Sequence, residues 1–499
     1  RLTDKGGYPV RENMVGTFEV DEPYAAQEAL DALEKNPLSG MGKRKPHYIV
    51  GKNGTALLRL QSASPSGEAL LRVFMEDGKE EELRVWLKPK PRDWILVGLA
   101  EGTVGYNTVT GHMESADKYS VEEDLYDNGR IAFFAKGSIK GEWLMTMAYD
   151  NKKLSDNKGR NLYQTIDPDT YYTVYGDDSQ QSYDAPSSGK LYLKIERNQF
   201  YALFGDYDTG LTVTELSRYS RSLHGFKSEM KDKQFSYSVF ASETDQAFVK
   251  DEIRGDGTSG LYYLSRKEIV TNSEKIEIEV RDRFQSEKII SSKILTRHLD
   301  YNIDYDDGTL FFKEPIYSKD SELNPIYIVV DYESYGSDDK KFTYGGRGAV
   351  KLMEDTLEVG ASYIHEGLTG ADADLGGMDA TLNLGMNTEI KVEIATSERE
   401  ESGSKSSGEA YLAEMTHRSD KFDGQLYLRE EEPGFGLGQQ NASEEGMRKM
   451  GATAMYRLTN KLNVYGNVYR DQNLDTDAER DLAEINLNYT VGRTTMHTG

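Results

Sequence analysis

Between about Gly346 and Gly492 apolar and polar residues alternate through successive stretches of roughly ten residues, separated by acidic, Gly- and Asn-rich connectors. Leu357-Val359-Ala361-Tyr363, Ile390-Val392-Ile394, Leu462-Val464-Gly466-Val468 and Ile485-Leu487-Tyr489-Val491 carry the apolar phase, with Glu, Lys, Asn, Ser or Arg at several positions between. A period of two puts successive side chains on opposite faces of a strand, so each strand has one oily face and one wet face. Strands of ~9–11 residues also suffice to cross a bilayer at a tilt, which makes a transmembrane β-barrel the architecture to test against a soluble sandwich.

The composition favours the barrel. Only 37% of the 499 residues are hydrophobic, while Tyr reaches 33 and Gly 47; mean hydropathy is −0.67. Several packed soluble cores would need more apolar residues, whereas a barrel with a watery lumen needs them at alternate positions only, with Tyr free to fill interface girdles. There is no Cys, which removes disulfides, thiolate metal sites and cysteine nucleophiles. No run approaches the ~18 apolar residues of a transmembrane helix, and Trp94 to Ala100 is strand-sized. The net charge of −25 repels nucleic-acid phosphate and suits acidic surface loops. A start at Arg1-Leu2-Thr3 reads as a fragment or a processed chain.

Along the chain four regions are expected. Residues 1–92 read as an Ig-like β-sandwich module, with one short helix at Ala25–Glu34 and strands at His47–Val50, Ala56–Leu60, Ala69–Phe74 and Glu82–Leu87. Residues 93–250 read as the first part of the barrel, interrupted by a polar loop at 151–188 that is long enough to be functional. Residues 251–335 read as an inserted β-sandwich-like domain, because Ile326-Tyr327-Ile328-Val329-Val330 is a continuous apolar run suited to a strand buried on both faces. Residues 336–499 continue the barrel as hairpins, and about fourteen strand candidates lie outside the two modules.

The stretches Tyr201 to Gly225 (YALFGDYDTGLTVTELSRYSRSLHG) and Phe248 to Ser265 (FVKDEIRGDGTSGLYYLS) resemble large bacterial surface proteins that carry Ig-like or invasin-like repeats ahead of an outer-membrane β-barrel. The inserted segment, with Asp300-Tyr301-Asn302-Ile303-Asp304-Tyr305 and Gly308-Thr309-Leu310, also looks like a unit of the type IX secretion translocon barrel. The resemblance implies an outer-membrane location and an architecture; it brings no catalytic residues.

Candidate chemistry is sparse. The seven His residues form no HExxH or other local zinc spacing. Gly255-Asp256-Gly257-Thr258-Ser259-Gly260 lacks the Lys-Ser/Thr ending of a phosphate loop and reads as a turn. Asp167, Asp169, Asp177 and Asp178 are the carboxylates that would hold a calcium ion, a hard cation that takes oxygen ligands. Tyr171, Tyr172 and Tyr175 in the same loop, with Asp206, Asp208, Arg218 and Arg221, are candidates for a loop or plug that meets a ligand. Apart from calcium no cofactor is expected, and the partners are outer-membrane lipid, lipopolysaccharide and a periplasmic or surface protein.

The fold class is therefore all-β: a large antiparallel transmembrane β-barrel with an N-terminal Ig-like β-sandwich and an inserted β-domain. A plugged or gated passage for a solute or polypeptide in the outer membrane is the first functional expectation, and not an enzyme. An adhesin that uses the barrel as an anchor, or a soluble extracellular carbohydrate-binding β-protein, are the alternatives.

Overall fold

The computed structural model describes residues 14–498 apart from 21–45, 52–54, 61–66, 75–79, 89–91, 109–123, 141, 152–184, 186, 188, 245, 271–272, 284–288, 298, 322, 336–339, 354–355, 369–370, 386, 402–403, 420, 440–443, 460–461 and 492–493. The N-terminal part contains β1 (Val15–Val20), β2 (His47–Ile49), β3 (Gly67–Phe74) and β4 (Glu80–Leu87), joined as one antiparallel sheet in the order β2-β1-β3-β4. Phe18, Tyr48, Val50, Leu71 and Val73 form its core. The second, facing sheet that an Ig-like sandwich needs is not among the described residues, and the expected helix at 25–34 lies outside them.

The barrel opens with β5 (Ile95–Asn107), β6 (Asp124–Ile139), β7 (Trp143–Asp150), β8 (Leu191–Arg197), β9 (Phe200–Asp208), β10 (Ser222–Lys231) and β11 (Phe235–Thr244). The chain then leaves the wall for seven strands, β12 (Gln246–Arg254), β13 (Tyr262–Tyr263), β14 (Lys275–Arg281), β15 (Ile289–Ile294), β16 (Tyr301–Asp304), β17 (Thr309–Phe312) and β18 (Ile326–Tyr335). It returns as β19 (Lys341–Leu352), β20 (Leu357–Leu368), β21 (Ala371–Leu384), β22 (Thr388–Glu401), β23 (Ser404–Arg418), β24 (Phe422–Glu431), β25 (Met447–Thr459), β26 (Leu462–Asn473), β27 (Glu479–Val491) and β28 (Thr494–Thr498). The seventeen wall strands form a closed barrel, with β11 beside β19, β28 beside β5 and β9 beside β10. At a strand spacing of ~4.8 Å and a tilt of ~40° the backbone ring is about 33 Å across, so the lumen is too wide for wall side chains alone to fill.

The facing of this wall follows from register, because directly opposed residues share a face. One outward row reads Val350, Val359, Ala380, Val392, Ala413, Leu428, Met450, apolar across seven strands. The inward row beside it reads Lys351, Glu358, Thr381, Lys391, Glu414, Tyr427. Val359, Val392 and Leu428 are exposed while Glu393 and Asp379 are buried. That is the inside-out arrangement of a wall that meets hydrocarbon outside and water within. The outer band ends in aromatic side chains beside the short turns, among them the Trp143–Phe200 and Phe235–Tyr237 pairs. At the other end it stops at charged pairs such as His224–Asp206, His365–Asp374 and Arg448–Glu430. On β21 the stretch from Gly376 to Leu384 rises ~26 Å along the strand, about 20 Å along the axis at that tilt, close to the apolar height such barrels present.

One end carries short connections throughout, whereas the other combines the long ones with the two-residue connections 369–370 and 402–403. At the short-connection end Asn198 between β8 and β9 and Gly385 between β21 and β22 take φ of +49° and +68°, a left-handed turn that Gly and Asn adopt at least cost. Seventeen wall strands exceed the expected fourteen; β23 opens with Lys405-Ser406-Ser407, three exposed residues without an apolar phase.

The segment 246–335 forms two small sheets, β12-β18-β14-β15 and β13-β17-β16, around one core of Ile276, Ile328, Val330 and Tyr332 against Tyr262, Leu310 and Phe312. Ile328, Val329 and Val330 are buried in succession because one face of β18 packs into this core and the other, which carries Glu333, turns to the hairpin at Arg221. This unit begins at Gln246, five residues before the expected boundary, since β12 pairs with β18 and not with the wall. The turn at 255–260 is pinned by Asp256 Oδ1, which accepts the Thr258 N–H at 2.8 Å.

Candidate functional site

Two connections at the long-loop end fold back into the lumen. The first, 209–221 between β9 and β10, is a hairpin in which Leu211 and Tyr219 exchange N–H···O bonds of 2.9 and 2.8 Å. Its tip meets β22, five places further round the wall, where the buried Glu393 carboxylate accepts the N–H groups of Glu215 and Leu216 at 2.9 Å each. Glu215 also pairs with Arg429 of β24. Ser217 lies against Gly377 of β21, where any Cβ would collide with its hydroxyl. A carboxylate spent on backbone N–H groups is a strong anchor, because the bonds are charge-assisted.

The second infolded connection, 432–446, packs Phe435 and Leu437 beside Leu216 and Tyr219 in one buried cluster with Ile364, Leu375 and Leu412 of the wall. Gly436 N–H donates to Ser397 Oγ at 2.8 Å, and Gly408 leaves room for Phe435, whose backbone N would lie 2.7 Å from an added Cβ. Glu444 holds Lys449 of β25 at 2.8 Å.

Arg221 ties the hairpin to both other parts of the molecule. Its guanidinium is fully buried and donates to Glu333 of β18 at 2.8 and 2.6 Å, to the Gln246 carbonyl at 3.1 Å, and to Glu366 of β20. Tyr219 Oη donates to the same Glu366 at 2.9 Å and its ring stacks on Phe240, 5.5 Å between centres. Burial pushes the Glu333 carboxyl up from its ordinary range and Arg221 pulls it back. Asp331 on the same strand is also pushed up by burial, opposed by Lys250 and Arg218. Lys250 Nζ reaches the Gln439 carbonyl of the second infolded connection at 3.3 Å, and Lys275 reaches Asp208 at 3.4 Å. At the far end of β14, Asp282 lies within electrostatic reach of Tyr465 on β26.

The N-terminal sheet touches the same interior from the short-turn end. Trp86 donates to the Asn198 carbonyl at 3.0 Å with its ring 6.0 Å from that of Tyr201, and Arg84 approaches Thr212 of the hairpin at 3.4 Å.

Of the candidate residues, Arg221 sits at the junction of three units and Arg218 lies beside Asp331. Asp206 faces outward with His224 Nδ1 at 2.5 Å, and Asp208 meets Ser222 and Lys275. Asp167, Asp169, Asp177, Asp178, Tyr171, Tyr172 and Tyr175 lie outside the described residues. Glu333, Glu366 and Glu393 carry no sequence signal, each being one carboxylate among 85 acids. The second infolded connection did carry a signal, Pro433-Gly434-Phe435-Gly436-Leu437-Gly438, whose three glycines take φ of +81°, +96° and +80°.

No family model and no curated sequence matches the chain. Among solved structures it is similar to the anion-selective porin from Comamonas acidovorans (8% identity, 78% of this chain and 94% of that one, TM-score 0.29). It is also similar to OccK1 (OpdK) of Pseudomonas aeruginosa (10%, 80% and 88%, 0.29) and the outer membrane channel DcaP of Acinetobacter baumannii (9%, 80% and 98%, 0.28).

Proposed function

We propose that the chain is an outer-membrane β-barrel that forms a gated passage for a solute or polypeptide, in which the two infolded connections and the inserted unit act as the plug. The observation that carries this is the facing of the wall: apolar rows outside, charged rows inside, around a ring of about 33 Å. An anchor for displayed domains needs only a closed barrel. A passage needs an interior that is wet and a filling that is held by breakable contacts, and here the inserted unit meets the hairpin through Arg221–Glu333, the second connection through Lys250 and Gln439, and β9 through Lys275–Asp208. The mechanism is positional and electrostatic, with charged rows setting which solute enters and the plug setting when.

The test begins with the chain refolded into detergent. Unheated and boiled samples are compared by gel mobility, and the folded material is then placed in a planar bilayer. A heat-modifiable band with discrete conductance supports the passage. A chain that stays soluble without detergent and shows no mobility shift removes the membrane reading, and a closed barrel without conductance under any voltage leaves the anchor.

A further inference from the structure

Most of the inner wall is charged and already engaged, but β24 to β27 break that pattern. Three adjacent inward rows read Tyr427, Gly451, Tyr469; Gln425, Thr453, Asn467; and Met455, Tyr465, Asn486. Charged groups bound this patch along the strands. On one side Lys449 is held by Glu444, and on the other Arg457 is held by Asp423 and the Ser419 carbonyl. Between them lies a belt of phenol rings and amides, with Asp423 opposite Met455 at its β24 edge and Glu484 opposite Asn467 at its β27 edge.

We infer that this belt is a binding site for a neutral, hydroxyl-rich solute of the oligosaccharide class. The inference rests on the passage reading and names its substrate class. Pyranose rings present C–H faces that lie against aromatic rings, and their hydroxyls need both donors and acceptors. Tyr427, Tyr465, Asn467 and Asn486 supply both and are half-buried, so they are reachable from the lumen. Tyr469 backs them, 2% exposed. Gly451 is required for this geometry: an added Cβ would lie 2.6 Å from Tyr427 Oη, so the ring can lie flat across the neighbouring strand only above a glycine. Asn467 Oδ1 is buried with no hydrogen-bond partner among the described residues, an acceptor that a ligand hydroxyl would satisfy.

Charge at the border selects against anions. Glu484 accepts the Asn486 amide at 2.6 Å, which fixes that side chain, and Asp282 of the inserted unit lies within electrostatic reach of Tyr465. Carboxylates at the edges of this belt repel acidic sugars and leave neutral ones as the favoured occupants. Because Asp282 belongs to the inserted unit, the belt also lies where movement of that unit changes access to it.

The test is titration calorimetry of the whole chain, folded in detergent, with maltohexaose as the neutral probe and hexagalacturonate as the acidic one. Maltohexaose is expected to bind at least tenfold more tightly than hexagalacturonate. Tyr465→Ala and Asn486→Asp are each expected to weaken it tenfold or more, while outward-facing Val464→Ala leaves it unchanged. Each variant is first checked for the heat-modifiable band, and Asn486→Asp keeps the side-chain volume. Failure of maltohexaose to bind, equal or tighter binding of the acidic probe, or full affinity in both site variants would overturn the belt. Conductance measured on the same material separates the two readings: binding without conductance sinks the passage and spares the belt, and conductance without binding does the reverse.

Discussion

Replacing Arg221 with Met is the most informative single change, because it keeps the side-chain stem and removes only the guanidinium. In the native protein that group is fully buried between Glu333, with its side chain 2% exposed, and Glu366, 5% exposed. Without it two buried carboxylates face each other, with the Tyr219 hydroxyl still donating to Glu366. Breaking a buried pair by removing one partner costs roughly 3–5 kcal/mol. At ~1.4 kcal/mol per factor of ten, 4 kcal/mol is about a thousandfold in the equilibrium that seats the inserted unit on the hairpin and wall. The sign with pH follows from Glu333. Burial raises its carboxyl above the ordinary value, so its contribution to seating is full below that ordinary value and is lost as pH rises through the raised one. Removing Arg221 takes away the charge that opposed this rise, so the Arg221→Met variant is expected to be most unseated at neutral pH and to recover on acidification. Trypsin cleavage within 246–335, which tracks the open population, and open probability in a bilayer report seating at pH 7.5 and pH 5. The triple variant Arg221→Met, Glu333→Gln, Glu366→Gln is expected to regain most of the protection, since a neutral site no longer strands charge. If Arg221→Met is cleaved and conducts like the parent at both pH values, the latch does not hold the plug and the reasoning fails.

Three further outcomes test other parts of the account. Leu426→Arg, on the outer face of β24, should destabilise the barrel by about 2–4 kcal/mol in urea unfolding from lipid vesicles, while its inward neighbour Gln425→Arg should change stability by much less; equal effects would contradict the facing. Gly377→Val should displace the hairpin tip from β21 at a cost of about 1–3 kcal/mol and raise conductance, with unchanged gating showing that Ser217 does not seat there. Glu274 of the inserted unit is pushed up by burial despite hydrogen bonds from Tyr305 and Tyr301, so its stabilising contribution is present below the ordinary carboxylate value and is lost as pH rises through the raised one. Glu274→Gln should therefore raise the melting temperature at pH 7.5 and narrow the difference between pH 7.5 and pH 4, and an unchanged pH profile would rule this out.

How much of this was legible before the structure depends on the range of the physics involved. Period-two alternation is local, so Val359, Ala361 and Tyr363, or Ile390, Val392 and Ile394, announced one oily face per strand. Short Asn and Gly turns are local too, as Asn198 and Gly385 illustrate. The absence of Cys and of any long apolar run bounded the rest. Arg221 could be picked out as a loop cation, and Asp206 and Asp208 as acids near a strand end, but not their partners.

Which oily face points outward is a tertiary fact, since alternation is the same for a sandwich and a barrel and only closure of the ring through β28 and β5 turns one face to the lumen. Closure also decides that Glu393 meets the backbone of Glu215, and that Glu333 and Glu366 share Arg221, contacts that join residues more than a hundred positions apart. The all-β class and the alternation within each strand are written in the chain, because they depend on neighbours two residues away. The tertiary structure alone decided what fills the lumen, because the groups that hold the filling in place are ordinary acids and glycines until the barrel brings them together.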